Sequence, residues 1–399
     1  MRPHFYSRRS TDLARYALDN RSDGGSGPRL VIIGVGMMGR EHLRVAALLG
    51  RARLRGICDA SPDSIRLALA DCAAHGVAEP LVYDSLDAAC ADPHADAYMV
   101  CTPNFSHWNL FEGLLATGKA IFLEKPMATS LAEARRMVDI ARDYPGLVQL
   151  GMQYRFKAQY VDAFHEVQSQ QVIGPVKTIA MAEYRPPFLD KVGQWNKFNR
   201  YSGGTLVEKC CHYFDLINQM AAGIPIKVYA QGGRAVNFLD FEQNGERSDI
   251  DDHAFVSITY DNGTLANFTL NMFSQELYEE LVVTGPGGRV VASEQASFRP
   301  GVPSSAHIKV ETPDHPAYRG LEVTYPDTIE RSGHSGATFF EHLAWVTQLE
   351  GGEADAATPL QGFWSLVVAS AAQQSLASGE VILIDEFCAG QGITLPSHG

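Results

Sequence analysis

A short apolar run, Leu30-Val31-Ile32-Ile33, leads straight into Gly34-Val35-Gly36-Met37-Met38-Gly39, and a helical pattern follows through Leu49 until Gly50 ends it. A run with no polar alternation suits a parallel strand covered on both faces. A GxGxxG spacing carries weight only after a strand and before a helix, and that is its setting here. Gly34 permits the tight turn, Gly36 lets the backbone approach a pyrophosphate, and Gly39 lets the helix lie close on the strand. The helix N-terminus, from Met37 and Met38 onward, then presents amides and a favourable dipole to the phosphates. A second strand, 54–58, ends at Asp59, where a carboxylate accepts both adenosine ribose hydroxyls and repels a 2′-phosphate. The stretch predicts a Rossmann dinucleotide-binding domain with NAD as its cofactor. Arg66, able to pair with a 2′-phosphate, keeps NADP as the alternative.

The alternation of helix and strand continues. A helix over 62–75 and a short helix or turn over 83–91 precede a strand at 97–101, which ends in Thr102-Pro103-Asn104-Phe105-Ser106-His107. Ligands of an open parallel sheet gather at the carboxyl ends of its strands, so Thr102, Asn104 and His107 are candidates to line the cofactor. His107 could equally serve as the cap of the helix that follows, 107–117. The next strand, 120–123, delivers Glu124-Lys125-Pro126 to the same end of the sheet. Lys125 is a candidate donor to a substrate hydroxyl or carbonyl, and Glu124 joins the cofactor-facing set. A last strand at 147–150 runs into Gly151-Met152-Gln153-Tyr154-Arg155-Phe156.

The second half carries one chemically suggestive stretch, Gly203 to Asp215. Glu208, His212 and Asp215 recur at spacings of four and three, which places them on one face if the segment is a continuous helix. A carboxylate one turn before a histidine can orient the imidazole and tune its proton affinity for acid–base work. The plainer alternative is a surface helix with a glycine cap. The preceding loop, 186–202, holds Trp195, Asn196 and Arg200, an aromatic face and polar groups of the kind that sugar sites use. Arg155 and Tyr160 are candidates for substrate or interface contact, and His334 is a lone loop histidine within reach of a site.

These motifs, in this order, resemble the glucose–fructose oxidoreductase, inositol dehydrogenase and MocA family over residues 29–385. The resemblance implies an N-terminal Rossmann domain and a C-terminal α/β domain on a large, mostly antiparallel sheet. It implies NAD(P)-dependent oxidation of a sugar or polyol hydroxyl, or the reverse ketone reduction. By it Lys125 contacts the substrate oxygen, and His212 is the acid/base. Glu208 stands where many members carry aspartate, and Asp215 is structural. Arg155, Trp195, Glu208, His212 and Lys125 form the expected substrate set.

The chain is expected to divide into an N-terminal extension (1–28), the Rossmann domain (29–151) and a substrate and oligomerisation domain (152–399) closed by helices at 338–349 and 360–377. In the second domain, a helix over 157–170 precedes a strand at 176–184. Asp261-Asn262-Gly263 joins strands 253–260 and 264–271 as a hairpin. Gly285-Pro286-Gly287-Gly288 joins 277–284 to 289–293, and edge strands follow near 306–310 and 320–325. A sheet face left uncovered by helices predicts a homodimer or homotetramer.

Composition sets the remaining bounds. A net charge of −13 argues against general nucleic-acid or anionic-membrane partners. Seven cysteines without a CxxC pair suit buried free thiols in a reducing, cytoplasmic setting, and no metal site is expected. No run of about 20 apolar residues marks a membrane span. Two rivals share the fold: an NAD-dependent glycosidase or eliminase that borrows and returns the hydride, and a non-catalytic dinucleotide-sensing regulator.

Overall fold

The computed structural model describes residues 27–297, 302 and 304–396, with backbone alone over 315–321. The predicted extension, 1–28, lies almost wholly outside the described residues. The chain forms two compact units, and they are not simply its two halves: residues up to Phe156 and Tyr325–Gly362 form one, Lys157–Thr324 and Phe363 onward the other.

The first unit is built on six parallel strands, β1 (Arg29–Ile33), β2 (Arg53–Cys58), β3 (Leu81–Tyr83), β4 (Ala97–Val100), β5 (Ala120–Glu124) and β6 (Val148–Gly151). Their order is β3-β2-β1-β4-β5-β6, so the direction of winding reverses between β1 and β4. That reversal opens a crevice at the carboxyl ends of β1 and β4, where the glycine turn and Thr102 sit. Leu30, Val31 and Ile32 are fully buried, as are Tyr98, Met99 and Val100, which is why these strands read as unbroken apolar runs. Of the short helix or turn expected over 83–91, the helix forms at Leu86–Cys90, directly after the short strand β3.

Residues 325–362 group with the first unit rather than with the rest of the second half. The helix Ala337–Leu349 is buried almost all round, and Trp345 meets the edge of Phe122 on β5 at a centroid distance of 5.3 Å. Leu150 of β6 also donates its amide to the Ala357 carbonyl at 2.9 Å. A helix buried this fully must be packed on most sides, and the helix Met37–Leu49 and residues 153–156 of the same unit supply part of that cover.

The second unit carries β7 (Thr178–Tyr184), β8 (Pro225–Gly233), the small hairpin β9 (Glu242–Gln243) and β10 (Glu246–Arg247), β11 (His253–Tyr260), β12 (Leu265–Asn271), β13 (Leu277–Gly285), β14 (Gly288–Ala296), β15 (Ser305–Thr312), β16 (His315–Glu322) and β17 (Ile382–Leu383). Nine of these form one sheet in the order β16-β15-β14-β13-β7-β12-β11-β8-β17, antiparallel except where β7 meets β12. Both predicted hairpins form. Ala254, Val256, Ile258 and Tyr260 of β11 point inward, and from the helix Cys211–Ala221 Tyr213 stacks on Phe268 of β12 while Phe214 meets it edge-on. The opposite face leaves Phe255 63% and Leu265 53% exposed.

No helix among the described residues is long and apolar enough to cross a membrane. All seven cysteines are free; Cys72, Cys210, Cys211 and Cys388 are buried, whereas Cys58, Cys90 and Cys101 are only half-buried, against the expectation that all are buried.

Candidate functional site

Each unit presents its own set of candidate residues. In the first, the glycine turn has the geometry that a dinucleotide requires. Gly34 adopts φ +86°, and a Cβ there would lie 2.7 Å from the Thr102 methyl. A Cβ on Gly39 would sit 2.0 Å from the Gly34 carbonyl oxygen, so only glycine lets the helix Met37–Leu49 come this close to β1. At Gly36 a Cβ would meet nothing within 4 Å. The space over Gly36, together with the first-turn amides that no helix can bond internally, fits a pyrophosphate. Asp59 braces the turn: its carboxylate accepts from the Val35 amide at 2.7 Å and the Ser61 amide at 2.7 Å. Each carboxylate oxygen keeps a further lone pair, so ribose hydroxyls can still be received. Arg66 lies on the exposed surface beside Asp63. Replacing Asp59 by alanine is expected to weaken NAD binding more than NADP binding, which paired titrations of the two cofactors would measure.

At the end of β4, the Ser106 hydroxyl donates to Thr102 Oγ1 at 2.7 Å, and Asn104 is buried. His107 is fully buried, with Nδ1 2.8 Å from the Pro126 carbonyl and Nε2 3.0 Å from the Thr102 carbonyl. Both ring nitrogens face main-chain carbonyls, so His107 ties the β4 and β5 loops together. Burial is also the main influence lowering its proton affinity.

Glu124 and Lys125 end β5. Glu124 is buried, and its carboxylate meets His42 Nε2 at 2.7 Å while accepting the Lys125 amide at 3.0 Å. His42 in turn lies 2.7 Å from His342. Donor atoms of His42, Glu124 and Glu341 fall within 4.8 Å of one another, a grouping hidden in the sequence because the three residues lie far apart along the chain. Arg155 donates to Gln361 at 2.9 Å.

His334 Nδ1 is 2.7 Å from Glu41, whose carboxylate also accepts from Thr338 at 2.6 Å. Burial alone would raise the Glu41 carboxyl, but the charge and hydrogen bond of His334 and the Thr338 bond together bring it down to about 2. A value below the ordinary 4.5 means stability that is present above pH 4.5 and lost as pH falls toward 2. The loss amounts to about 3 kcal/mol at most. Thermal melts of a Glu41→Gln variant are expected to fall less steeply across that window than those of the parent.

In the second unit the stretch from Gly203 to Asp215 is not one helix. Gly203 and Gly204 take φ +85° and +96°, a four-residue turn Thr205–Glu208 follows, and a new helix starts at Cys211. The expected single face is therefore interrupted at Lys209 and Cys210, because Tyr213 and Phe214 both return their amides to the Cys210 carbonyl. Glu208, His212 and Asp215 are all buried, 3%, 2% and 1% exposed. Glu208 accepts from Lys191 at 2.8 Å, and Lys191 also lies over the Trp195 ring at 4.4 Å from its centroid. Lys191 escaped the sequence reading; its position four residues before Trp195 was the available signal. Asn196 donates to the Leu189 carbonyl, and Arg200 pairs with Glu246. Tyr160 is removed from the candidates: it is fully buried and bonds Glu279 at 2.9 Å beside Lys157.

The chain resembles several known proteins over nearly its full length. It is 26% identical to the uncharacterized oxidoreductase YrbE of Bacillus subtilis, over 89% of this chain and 96% of that one. It is 24% identical to a myo-inositol 2-dehydrogenase of Thermotoga maritima, over 90% and 99%. Among solved structures, a levoglucosan dehydrogenase in complex with NADH and levoglucosan superposes with a TM-score of 0.73 at 17% identity, covering 90% of this chain and all of that one, a likeness of fold. Residues 28–152 match the model of the oxidoreductase family's NAD-binding Rossmann fold, and residues 169–384 match that of its C-terminal alpha/beta domain. With both domains matched and the glycine turn fitted to the cofactor, the chain belongs to the Gfo/Idh/MocA oxidoreductase family and is an NAD(P)-dependent oxidoreductase acting on CH–OH groups.

Proposed function

We propose that the protein is a dehydrogenase for a secondary hydroxyl of a sugar or cyclitol, with NAD as its cofactor and Lys125, His212 and Glu208 as its working side chains. The observation that carries the reading is Lys125 at the carboxyl end of β5, with its amide held by the Glu124 carboxylate at 3.0 Å. Bound NAD supplies the hydride acceptor. His212 takes the hydroxyl proton during oxidation and returns it in the reverse direction. Lys125 donates to the same oxygen and offsets its developing negative charge, a contribution of several kcal/mol where water is scarce. Glu208, with Lys191 beside it, receives a neighbouring hydroxyl, and Trp195 offers an aromatic wall to ring C–H groups. The relatives named for inositol and levoglucosan support a polyhydroxylated ring as the substrate class.

The test is a panel of sugars and cyclitols, myo-inositol first, followed by NADH appearance with NAD and, in parallel, NADPH appearance with NADP. Net NADH formation supports a dehydrogenase. Product release without net NADH would point to the borrowed-hydride chemistry, and tight NAD binding without any turnover to a regulator. Lys125→Met is expected to lower kcat by about 10²–10³-fold, measured on whichever compound is turned over. The exposed Phe255 and Leu265 face supports a homodimer or homotetramer. A monomeric mass by light scattering at micromolar concentration would exclude one.

A further inference from the structure

Four titratable side chains converge beneath Lys125 and lie outside the proposed chemistry: His42 on the helix Met37–Leu49, Glu124 at the end of β5, and Glu341 and His342 on the helix Ala337–Leu349. All are buried, His42, Glu341 and His342 completely. Two contacts of 2.7 Å, His342 Nε2 to His42 Nδ1 and His42 Nε2 to Glu124 Oε1, chain three of them together. The second Glu124 oxygen receives the Lys125 amide at 3.0 Å. Gly151 closes the carboxylate in, since a Cβ there would lie 3.1 Å from Glu124 Cδ. We propose that His42 and His342 are positioning residues for Lys125, acting through the Glu124 carboxylate that they hold against the Lys125 main chain. The proposal rests on the reading of Lys125 as the donor to the substrate oxygen.

The proton positions follow from the donors available. As a carboxylate, Glu124 can only accept, so His42 carries its proton on Nε2. At the other contact one proton lies between His42 Nδ1 and His342 Nε2. Burial first, and then the neighbouring His42, lower the proton affinity of His342. Glu341 stands apart from the chain: neither of its oxygens has a hydrogen-bond partner among the described residues. A bare carboxylate in that place would be strongly unfavourable. Burial first, then repulsion by Glu124 and Glu41, raises its carboxyl well above the ordinary range, against the pull of Arg155. Glu124 goes the other way. Burial would raise it, but the bond and charge of His42 and the charge and amide of Lys125 bring it below its ordinary value. Cys101 and His107 also face this charge. The two carboxyls are thus driven in opposite directions, Glu124 toward the carboxylate and Glu341 toward the acid. Because Lys125 favours the Glu124 charge, Glu124 by the same interaction favours the Lys125 cation. The protonated Glu341 spares Glu124 a second negative neighbour.

The readout is the titration of Lys125 itself, followed by NMR after ¹³C reductive methylation of the full-length protein, with the signal assigned through Lys125→Arg. It needs no substrate, so it stands or falls separately from the turnover test with Lys125→Met. Glu124→Gln and His342→Leu are expected to lower the Lys125 midpoint by about half a pH unit or more, with NAD affinity by fluorescence within about threefold of the parent. His342→Gln, which can still hydrogen-bond to His42 Nδ1, is expected to restore most of the shift. Glu341→Gln replaces a neutral acid by a neutral amide and is expected to leave both the melting temperature and the Lys125 midpoint near those of the parent. An unchanged midpoint in folded Glu124→Gln or His342→Leu overturns the proposal. Should those two fail to fold, a changed midpoint or a large loss of stability in Glu341→Gln does so. A stoichiometric divalent ion in elemental analysis of the purified protein, bound at His42, Glu124 and Glu341, would overturn it as well.

Discussion

Replacing His212 by alanine is expected to lower kcat by about 10²–10⁴-fold, the range that a positioned general acid–base contributes. NAD affinity should change little, because the cofactor turn belongs to the other unit. The histidine is buried in the first turn of a helix whose Tyr213 and Phe214 pack against Phe268, the first stacked and the second edge-on, so its backbone is fixed by packing that the substitution leaves alone. The decisive measurement is the pair of kcat and NAD dissociation constant on one preparation. A fall in turnover with unchanged cofactor binding supports the assignment, and comparable turnover in the variant would sink it.

The glycine turn makes the second large prediction, and it separates two roles that look alike in sequence. Gly39→Ala puts a methyl 2.0 Å from the Gly34 carbonyl oxygen, so the helix and β1 must move apart. Overpacking of this kind costs about 1–3 kcal/mol, and the thermal midpoint and NAD affinity are expected to fall together. Gly36→Ala meets open space, with nothing within 4 Å. It is expected to melt with the parent while losing NAD affinity, because the methyl projects where the pyrophosphate approaches. Equal melting of the two variants would show that helix–strand packing is not what Gly39 serves.

These contrasts mark how much could be read before the structure. The parallel sheet was legible because strands covered on both faces appear as apolar runs with no alternation, as in Leu30–Ile33 and Ala97–Val100. The two hairpins were legible through their turn residues. Strand β3 was not, being three residues long with Leu81 and Val82 exposed. Nor was β8, which opens on a proline and places Ile226 and Lys227 outward. Single site residues could be picked out from their place at strand ends, but partnerships could not. Lys191 reaches Glu208 across 17 residues, His42 reaches Glu124 across 82, and His42 reaches His342 across 300. Helical spacing predicted one face for Glu208 and His212; the pause at Lys209 and Cys210 is a tertiary effect that no local period records.

The return of residues 325–362 to the dinucleotide unit has a consequence for synthesis of the chain. When the ribosome has just completed β6, the sheet still lacks the helix bearing Trp345, and Phe122 and His42 have no partners there. At about 5–20 residues per second, roughly ten to forty seconds pass before that segment is made. Every strand of the nine-stranded sheet except β17 is made in the interval. The cofactor domain is therefore begun first but cannot be completed until most of the other unit has been made.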